Sequence, residues 1–466
     1  MNNYLFNANH KNTATTSFAS ASTSTPHQQY SYRELNSHNS TPRTSHQRPG
    51  MYSRDWRSAL RTPPTYRIGN RTVRFNYHIA MLIAGVCALF ILFYYVRGST
   101  SSSDAAWLKN YASSTSGHRV GASSSSSIIN SKAIVEDEFS SYNSTYPLTQ
   151  PIVGRPGMIT FRIAMVADLD TNSKVENNGA TLWRSYLKKG HLTYITSKDE
   201  ITINWDSGEP SVLESSFSLK GRGMELSEIV TFNGKLLSFD DRTGLVYDIT
   251  NTDKPPIPWI ILLDGNGHSA KGFKSEWATV KDRLLYVGSM GKEWTTGTGE
   301  FENENPMFVK VVTPAGSVRS LDWSYNFKRL RQESSQISWP GYMIHESGVW
   351  SSVHRKWFFL PRRCSKEKYN ETRDEHMGCN LLISADEDFN KIETVPLDSA
   401  NTQTTHGFSS FKFIPGTDDR IIVALKTEEL NGKTTTFITA FDIHGKTLYA
   451  EQHIETELKY EGFEFI

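Results

Sequence analysis

Acidic and hydroxyl side chains recur in this sequence at a spacing that suggests a ring. The segments GMELSEIVTFNGKLLSFDD from Gly223, GFKSEWATVKDRLLYVGS from Gly272, YMIHESGVWSSVHRKWFFLPRR from Tyr342, THGFSSFKFIPGTDDRIIVALK from Thr405 and KYEGFEFI from Lys459 share one pattern. Each has a Glu or Ser, an apolar strand, a polar turn and a second apolar strand. Aligned, they put Glu228, Glu276, Glu346, Ser409 and Glu461 at one equivalent position, at intervals of 48, 70, 63 and 52 residues. Copies arranged around an axis would make these side chains converge, and four carboxylates cannot share a dry channel without a cation. An all-oxygen set in a loose ring suits calcium; zinc prefers His or Cys, and magnesium keeps its waters. Ser227, beside Glu228, adds a hydroxyl. Each glutamate taken singly reads as a solvated surface charge; the recurrence favours the metal.

The same strand ends carry groups suited to phosphate. Lys220 and Arg222 in KGRGMEL, Arg242 in DDRTG, Lys292 in GKEW and Arg362 with Arg363 in LPRR lie near glycine-containing turns. An arginine fork donates two parallel hydrogen bonds to a phosphate. Asp168 and Asp170 in ADLD, and Asp240 and Asp241 in DDR, end second strands; carboxylates beside a metal shell, Asp168, Asp170 and Asp241 foremost, orient or deprotonate an attacking water. Turn capping is the competing role for these aspartates. There is no Walker or Rossmann loop and no nucleophile elbow.

These residues need a scaffold that brings distant strand ends together. From about residue 158, short β-branched and aromatic runs alternate with Gly, Asp and Asn turns, which predicts an all-β domain over 158–466. A closed propeller leaves no exposed sheet edge at this size. Five blades are expected, with six as the nearer alternative. The last copy stops after one strand, so its partner is expected from Phe161–Asp170, closing the ring with the two ends of the domain.

Upstream, residues 1–76 are rich in Ser, Thr, Asn, His and Gln and are expected to be a disordered tail. The uncharged run IAMLIAGVCALFILFYYV, residues 79–96, is long enough to cross a bilayer as one helix, placed at 77–97. Arg54, Arg57, Arg61, Arg67, Arg71 and Arg74 precede it and only Arg97 follows closely, so the tail faces the cytosol and the rest the lumen. A Ser-rich stalk spans 98–157. Residues 97–466 carry 40 basic and 47 acidic side chains, which argues against nucleic acid as a partner. Cys364 and Cys379 read as one lumenal disulfide around an insertion with the glycosylation sequon at Asn370, with two unpaired thiols as the alternative; a second sequon begins at Asn143. The endoplasmic reticulum or Golgi membrane is the expected location, with release of the lumenal part by cleavage and a homodimer both open to the chain.

At KGRGMELSE, DDRTGLVYDI, KGFKSEW, GKEWTTGTGE, the LPRR run, THGFSSFKFIPGTDD and YEGFEFI, residues 158–466 resemble the calcium-activated nucleotidase family, also called soluble apyrases. The resemblance implies a five-bladed propeller with a central calcium on Ser227, Glu228, Glu276, Glu346, Ser409 and Glu461; relatives often carry Asp at position 228. It further implies hydrolysis of nucleoside di- and triphosphates, UDP and GDP foremost, releasing orthophosphate. In the secretory pathway that activity would clear the UDP left by sugar transferases. Two other readings remain open at this point: a non-catalytic calcium propeller that binds protein or glycan, and a calcium-propeller hydrolase acting on esters or glycans.

Overall fold

The computed structural model describes residues 139–155, 157–177, 179–397 and 404–466, together with 65–68, 71–74 and 85–87. Contacts divide the chain into two units, Met1–Ile91 and Leu92–Ile466. In the first, Thr65–Ile68 pairs antiparallel with Arg71–Arg74. The tail expected to be disordered therefore contains a strand pair. No described helix is long and apolar enough to cross a membrane. Apart from 85–87, the expected span lies outside the described residues, as do most of the tail and stalk.

The second unit is built from antiparallel sheets in a propeller-like arrangement. Four are four-stranded and run in simple order from Leu226–Phe232 to Ile257–Ile261, from Trp277–Lys281 to Val318–Asp322, from Tyr342–Ser351 to Ile392–Pro396 and from His406–Phe413 to Thr447–Ile454. A fifth large sheet has seven strands and begins Tyr460–Phe465, Met158–Ala167, Ala180–Ile195, and a small two-stranded sheet pairs Trp294–Thr295 with Phe301–Asn303. The first strand of each large sheet touches the first strand of the next, and Tyr460–Phe465 touches Leu226–Phe232, so the inner strands form a closed ring. The joint is the expected splice: Tyr460 pairs with Ala167, Gly462 with Val166 and Phe465 with Ile163.

Strands in this ring are covered on both faces, which explains runs such as IIVAL in place of apolar–polar alternation. Successive side chains point to opposite faces, so each strand feeds two cores. Ile163 and Met165 pack toward the fourth sheet, whereas Ala164 and Val166 pack toward the first. A separate apolar cluster fills each gap between neighbouring sheets. The densest holds Trp277, Trp323, Trp350 and Trp357, with Trp323 and Trp357 centroids 5.0 Å apart at 84°. The one long helix among the described residues, Ser324–Ser335, covers this cluster with Phe327 and Leu330.

The folded unit also starts earlier than the expected boundary at 158. Phe139 is buried in the tryptophan cluster, Tyr142 packs against Phe232 at 5.7 Å, and the Tyr146 hydroxyl donates to Glu464 Oε1 at 2.9 Å. These anchors are irregularly spaced in a polar segment, so no strand or helix period marked them.

Candidate active site

The repeated residues sit on a repeated defect. Strand pairing skips Ser227 between Leu226 and Glu228, Ser409 between Phe408 and Ser410, and Glu461 between Tyr460 and Gly462. In the third blade it skips two residues, Glu346 and Ser347, between His345 and Gly348. In the second blade Glu276 stands just before the inner strand, its N–H donating to the Gly288 carbonyl at 2.8 Å. A bulge takes a side chain out of the pleat and re-aims it, which is how four of the strand starts turn their oxygen atoms from the sheet, while Glu276 does so from just outside its strand. Gly462 permits the close packing this needs, because a Cβ there would lie 2.7 Å from the Glu228 Cα.

The bulges correct the alignment in the first blade. Ser227, not Glu228, occupies the position equivalent to Ser409 and Glu461. Glu228 is one residue further on, and its carboxylate accepts from Ser410 Oγ at 3.1 Å and Lys412 Nζ at 3.1 Å. It is thus engaged by a cation other than those around Glu276, Glu346 and Glu461.

Three buried or half-buried cations hold the remaining carboxylates together. Lys459 Nζ lies 2.9 Å from Asp168, 2.9 Å from Asp170, 3.1 Å from Glu429 and 3.4 Å from Glu461. Arg362 pairs with Glu346, with Glu429 at 3.2 Å and with Glu461 at 3.3 Å. Lys274 pairs with Asp241 and, at 2.8 Å, with Glu276. At the margin Arg222 pairs with Glu225 and reaches Asp170 at 3.6 Å. Eight carboxylates therefore share four cations.

That imbalance appears in the acidities. Burial, with Glu346 and Asp241 close by, pushes Glu276 up to about 8 against the pull of Lys274. Burial likewise raises Glu225 to about 7 and lifts Glu346, Asp241 and Glu461. Asp168 behaves differently: burial would raise it, but Lys459 and the Asp170 N–H outweigh burial and keep it below the usual range. Glu429 is held low, chiefly by Arg362.

The donor set fits a hard cation. Ser409 Oγ and Asp241 Oδ1 are buried with no hydrogen-bond partner among the described residues, and carboxylate and hydroxyl oxygens are what calcium takes. A tighter group lies at the edge of the set, where Asp168, Asp170 and Glu225 each bring an oxygen within 4.8 Å of the others. A cavity of about 620 Å³ opens beside it, lined in part by Asp168, Asp170, Tyr186, Glu429 and Lys459.

A family model described as Apyrase matches residues 169–466. The chain belongs to the apyrase family. A rat protein named soluble calcium-activated nucleotidase 1 is 52% identical over 331 residues, covering 71% of this chain and 80% of the relative. An apyrase of Cimex lectularius is 48% identical, covering 70% and 87%, and one of Caenorhabditis elegans is 43% identical, covering 66% and 85%.

In this chain the expected phosphate ligands part company. Arg362 is enclosed by three carboxylates and Arg222 by two, whereas Lys220 is exposed and Arg242 half-buried, neither ion-paired with a described residue. Cys364 and Cys379 are joined in a disulfide with Cα atoms 5.5 Å apart. The Asn370 side chain accepts from the Arg373 N–H at 3.1 Å, and exposed Asn143 accepts from the Thr145 N–H at 2.9 Å. Lys274, Lys459, Glu225 and Glu429 escaped the sequence reading. A signal for three of them was present: the residue two before the bulge position is Glu225, Lys274 and Lys459 in three of the five copies.

Proposed function

We propose that this chain is a calcium-dependent nucleotide phosphohydrolase that cleaves orthophosphate from nucleoside di- and triphosphates, UDP and GDP foremost. The observation that carries the reading is a surplus of carboxylates around five equivalent strand starts, three bearing Glu and two Ser, with the Ser409 and Asp241 oxygens left unpartnered among the described residues, in a member of the apyrase family. Counting the seven-stranded sheet as the fifth blade makes the scaffold a five-bladed propeller around these residues. Ser227, Glu276, Glu346, Ser409 and Glu461 would hold the calcium, and Glu228 would join only by leaving Lys412. When bound, calcium supplies positive charge for phosphate oxygens.

The chain's own residues do the rest. Asp168, kept ionised by Lys459 at 2.9 Å, accepts a hydrogen bond from the attacking water and orients it. Asp170 lies on the open side of Lys459 and lines the cavity by which substrate arrives. Asp241, tied to Lys274, steadies that lysine beside Glu276. Direct attack by water needs no protein nucleophile. The Arg-rich flank and apolar run at 79–96 support a single signal-anchor span with the catalytic unit in the lumen of the endoplasmic reticulum or Golgi, where glycans at Asn143 and Asn370 and removal of UDP would follow.

Phosphate release from a panel of nucleotides by the full-length protein, with calcium, magnesium or chelator, tests the reading. Release from UDP and GDP that requires calcium is expected. No release from any nucleotide at saturating calcium would leave a calcium-binding propeller without this activity.

A further inference from the structure

Arg362 and Arg363 are neighbours in sequence with opposite surroundings. Arg362 is enclosed by Glu346, Glu429 and Glu461. Arg363 is equally buried, at 3% exposure, yet it forms no ion pair among the described residues; its Nη1 donates to the Thr405 carbonyl at 3.1 Å. Gly407 leaves room for the arginine pair, since a Cβ there would lie 2.5 Å from Arg362 Cγ and 2.9 Å from Arg363 Nη1.

Lys292 repeats the situation in the next blade. It is 4% exposed, and its ammonium has only neutral partners: the Glu293 carbonyl at 2.9 Å, the Thr295 hydroxyl at 3.2 Å and the Tyr369 ring at 4.5 Å. Both cations act on one acid, Asp374, which accepts from the Tyr342 hydroxyl at 2.6 Å. The rings of Tyr342 and Tyr369 meet at 5.2 Å, and Tyr369 belongs to the disulfide-bounded insertion. Neither cation has a carboxylate at ion-pair distance among the described residues, and leaving buried cations so weakly matched is costly. An incoming anion would remove that cost.

We propose that Lys292 and Arg363 form a subsite for the phosphate that stays on the nucleoside, beside the carboxylate ring where the terminal phosphate is attacked. The proposal rests on the nucleotidase reading. Cations within the ring are already paired, so the ring suits the metal and the phosphate it activates. Lys292 and Arg363 lie toward the tyrosines, so the remaining phosphate sits between ring and tyrosines and the nucleoside extends outward. The arginine fork gives that phosphate two parallel hydrogen bonds and the lysine a point charge.

Full-length Arg363→Gln, Arg363→Lys and Lys292→Gln would be assayed for kcat and KM with UDP at saturating calcium, for inhibition by UMP and by inorganic phosphate, and for calcium affinity by calorimetry. Loss of a charge-assisted contact should raise KM for UDP and Ki for UMP on the order of tenfold in Arg363→Gln and less in Lys292→Gln, with Arg363→Lys intermediate. Inorganic phosphate, free to occupy the terminal position, should inhibit much as before, and calcium affinity should hold. Unchanged KM and Ki in folded variants, or a fall in calcium affinity parallel to the rise in KM, would overturn the subsite. Should Arg363→Gln fail to fold, the other two variants decide. If the unaltered protein releases no phosphate, the nucleotidase reading has failed; UMP titration of the unaltered protein and Lys292→Gln then decides the subsite, and absent or equal binding overturns it.

Discussion

Glu461 and Glu464 stand on the same inner strand, and their surroundings differ. Glu464 is fully partnered: Oε1 accepts from Tyr146 Oη and the Phe465 N–H, each at 2.9 Å, and Oε2 from the Thr231 N–H at 2.9 Å. Its neighbour Glu228 is matched by Lys412 and Ser410, with the Ile229 N–H donating at 2.8 Å. Glu461 instead shares Lys459 and Arg362 with four other carboxylates. A satisfied buried network holds strands in place, while a network short of cations and hydrogen bonds stays expensive until something arrives. The first is architecture and the second is a site.

The most damaging test removes both regions at once. Deleting the last six residues takes away Glu461, Glu464 and the strand that pairs with Met158–Ala167, so the whole unit should lose its cooperative melt. A truncated protein that melts and acts as before would dissolve the distinction and the closure together. Next in size, Lys412→Met should leave Glu228 buried and unpaired at a cost of about 3–5 kcal/mol in urea unfolding, with activity retained in whatever remains folded. Equal stability would show that the satisfied region is not structural.

The site should answer differently. Glu276→Gln removes charge from the ring, so calcium affinity should fall on the order of tenfold while the calcium-free melting temperature holds or rises, and excess calcium should recover activity. Asp168→Asn should lower kcat by about 10²–10⁴-fold and leave the calcium-induced rise in melting temperature intact. Joint loss of calcium binding would instead place the metal on Asp168, Asp170 and Glu225.

The smallest effect is that of pH. Glu276 and Glu225, raised by burial to about 8 and about 7, contribute stability that is complete below their ordinary range and lost as pH rises through those values. Melting of the calcium-free protein should therefore decline between about pH 5 and 8, and saturating calcium should flatten the decline. Asp168, held low, works in the other direction and loses its contribution only in strong acid. A calcium-free melting temperature that climbs across that interval would contradict the raised acidities.

Much of this was legible in the residues. The period of the repeat and the unfinished fifth copy led to the ring, because a strand without a partner at one end and a matching strand at the other admit few arrangements. The misplacement of Glu228 by one position has a physical source: a bulge adds a residue to one strand only, and alignment by apolar pattern cannot see it. The cations were harder, since ion pairing across blades is set by tertiary placement. Lys459 and Asp168, paired at 2.9 Å, are nearly the whole domain apart in sequence.

The splice between Tyr460–Phe465 and Met158–Ala167 also sets a timetable for biogenesis. At about 5–20 residues per second, the ribosome needs tens of seconds after the first of these strands emerges before the second exists. Until then Met158–Ala167 carries an unpaired edge, the kind of surface that recruits wrong partners. Nascent chains should therefore depend on chaperones until Tyr460–Phe465 has emerged, and a ribosome stalled shortly before Tyr460 would carry a domain with every blade begun and none of its ring closed.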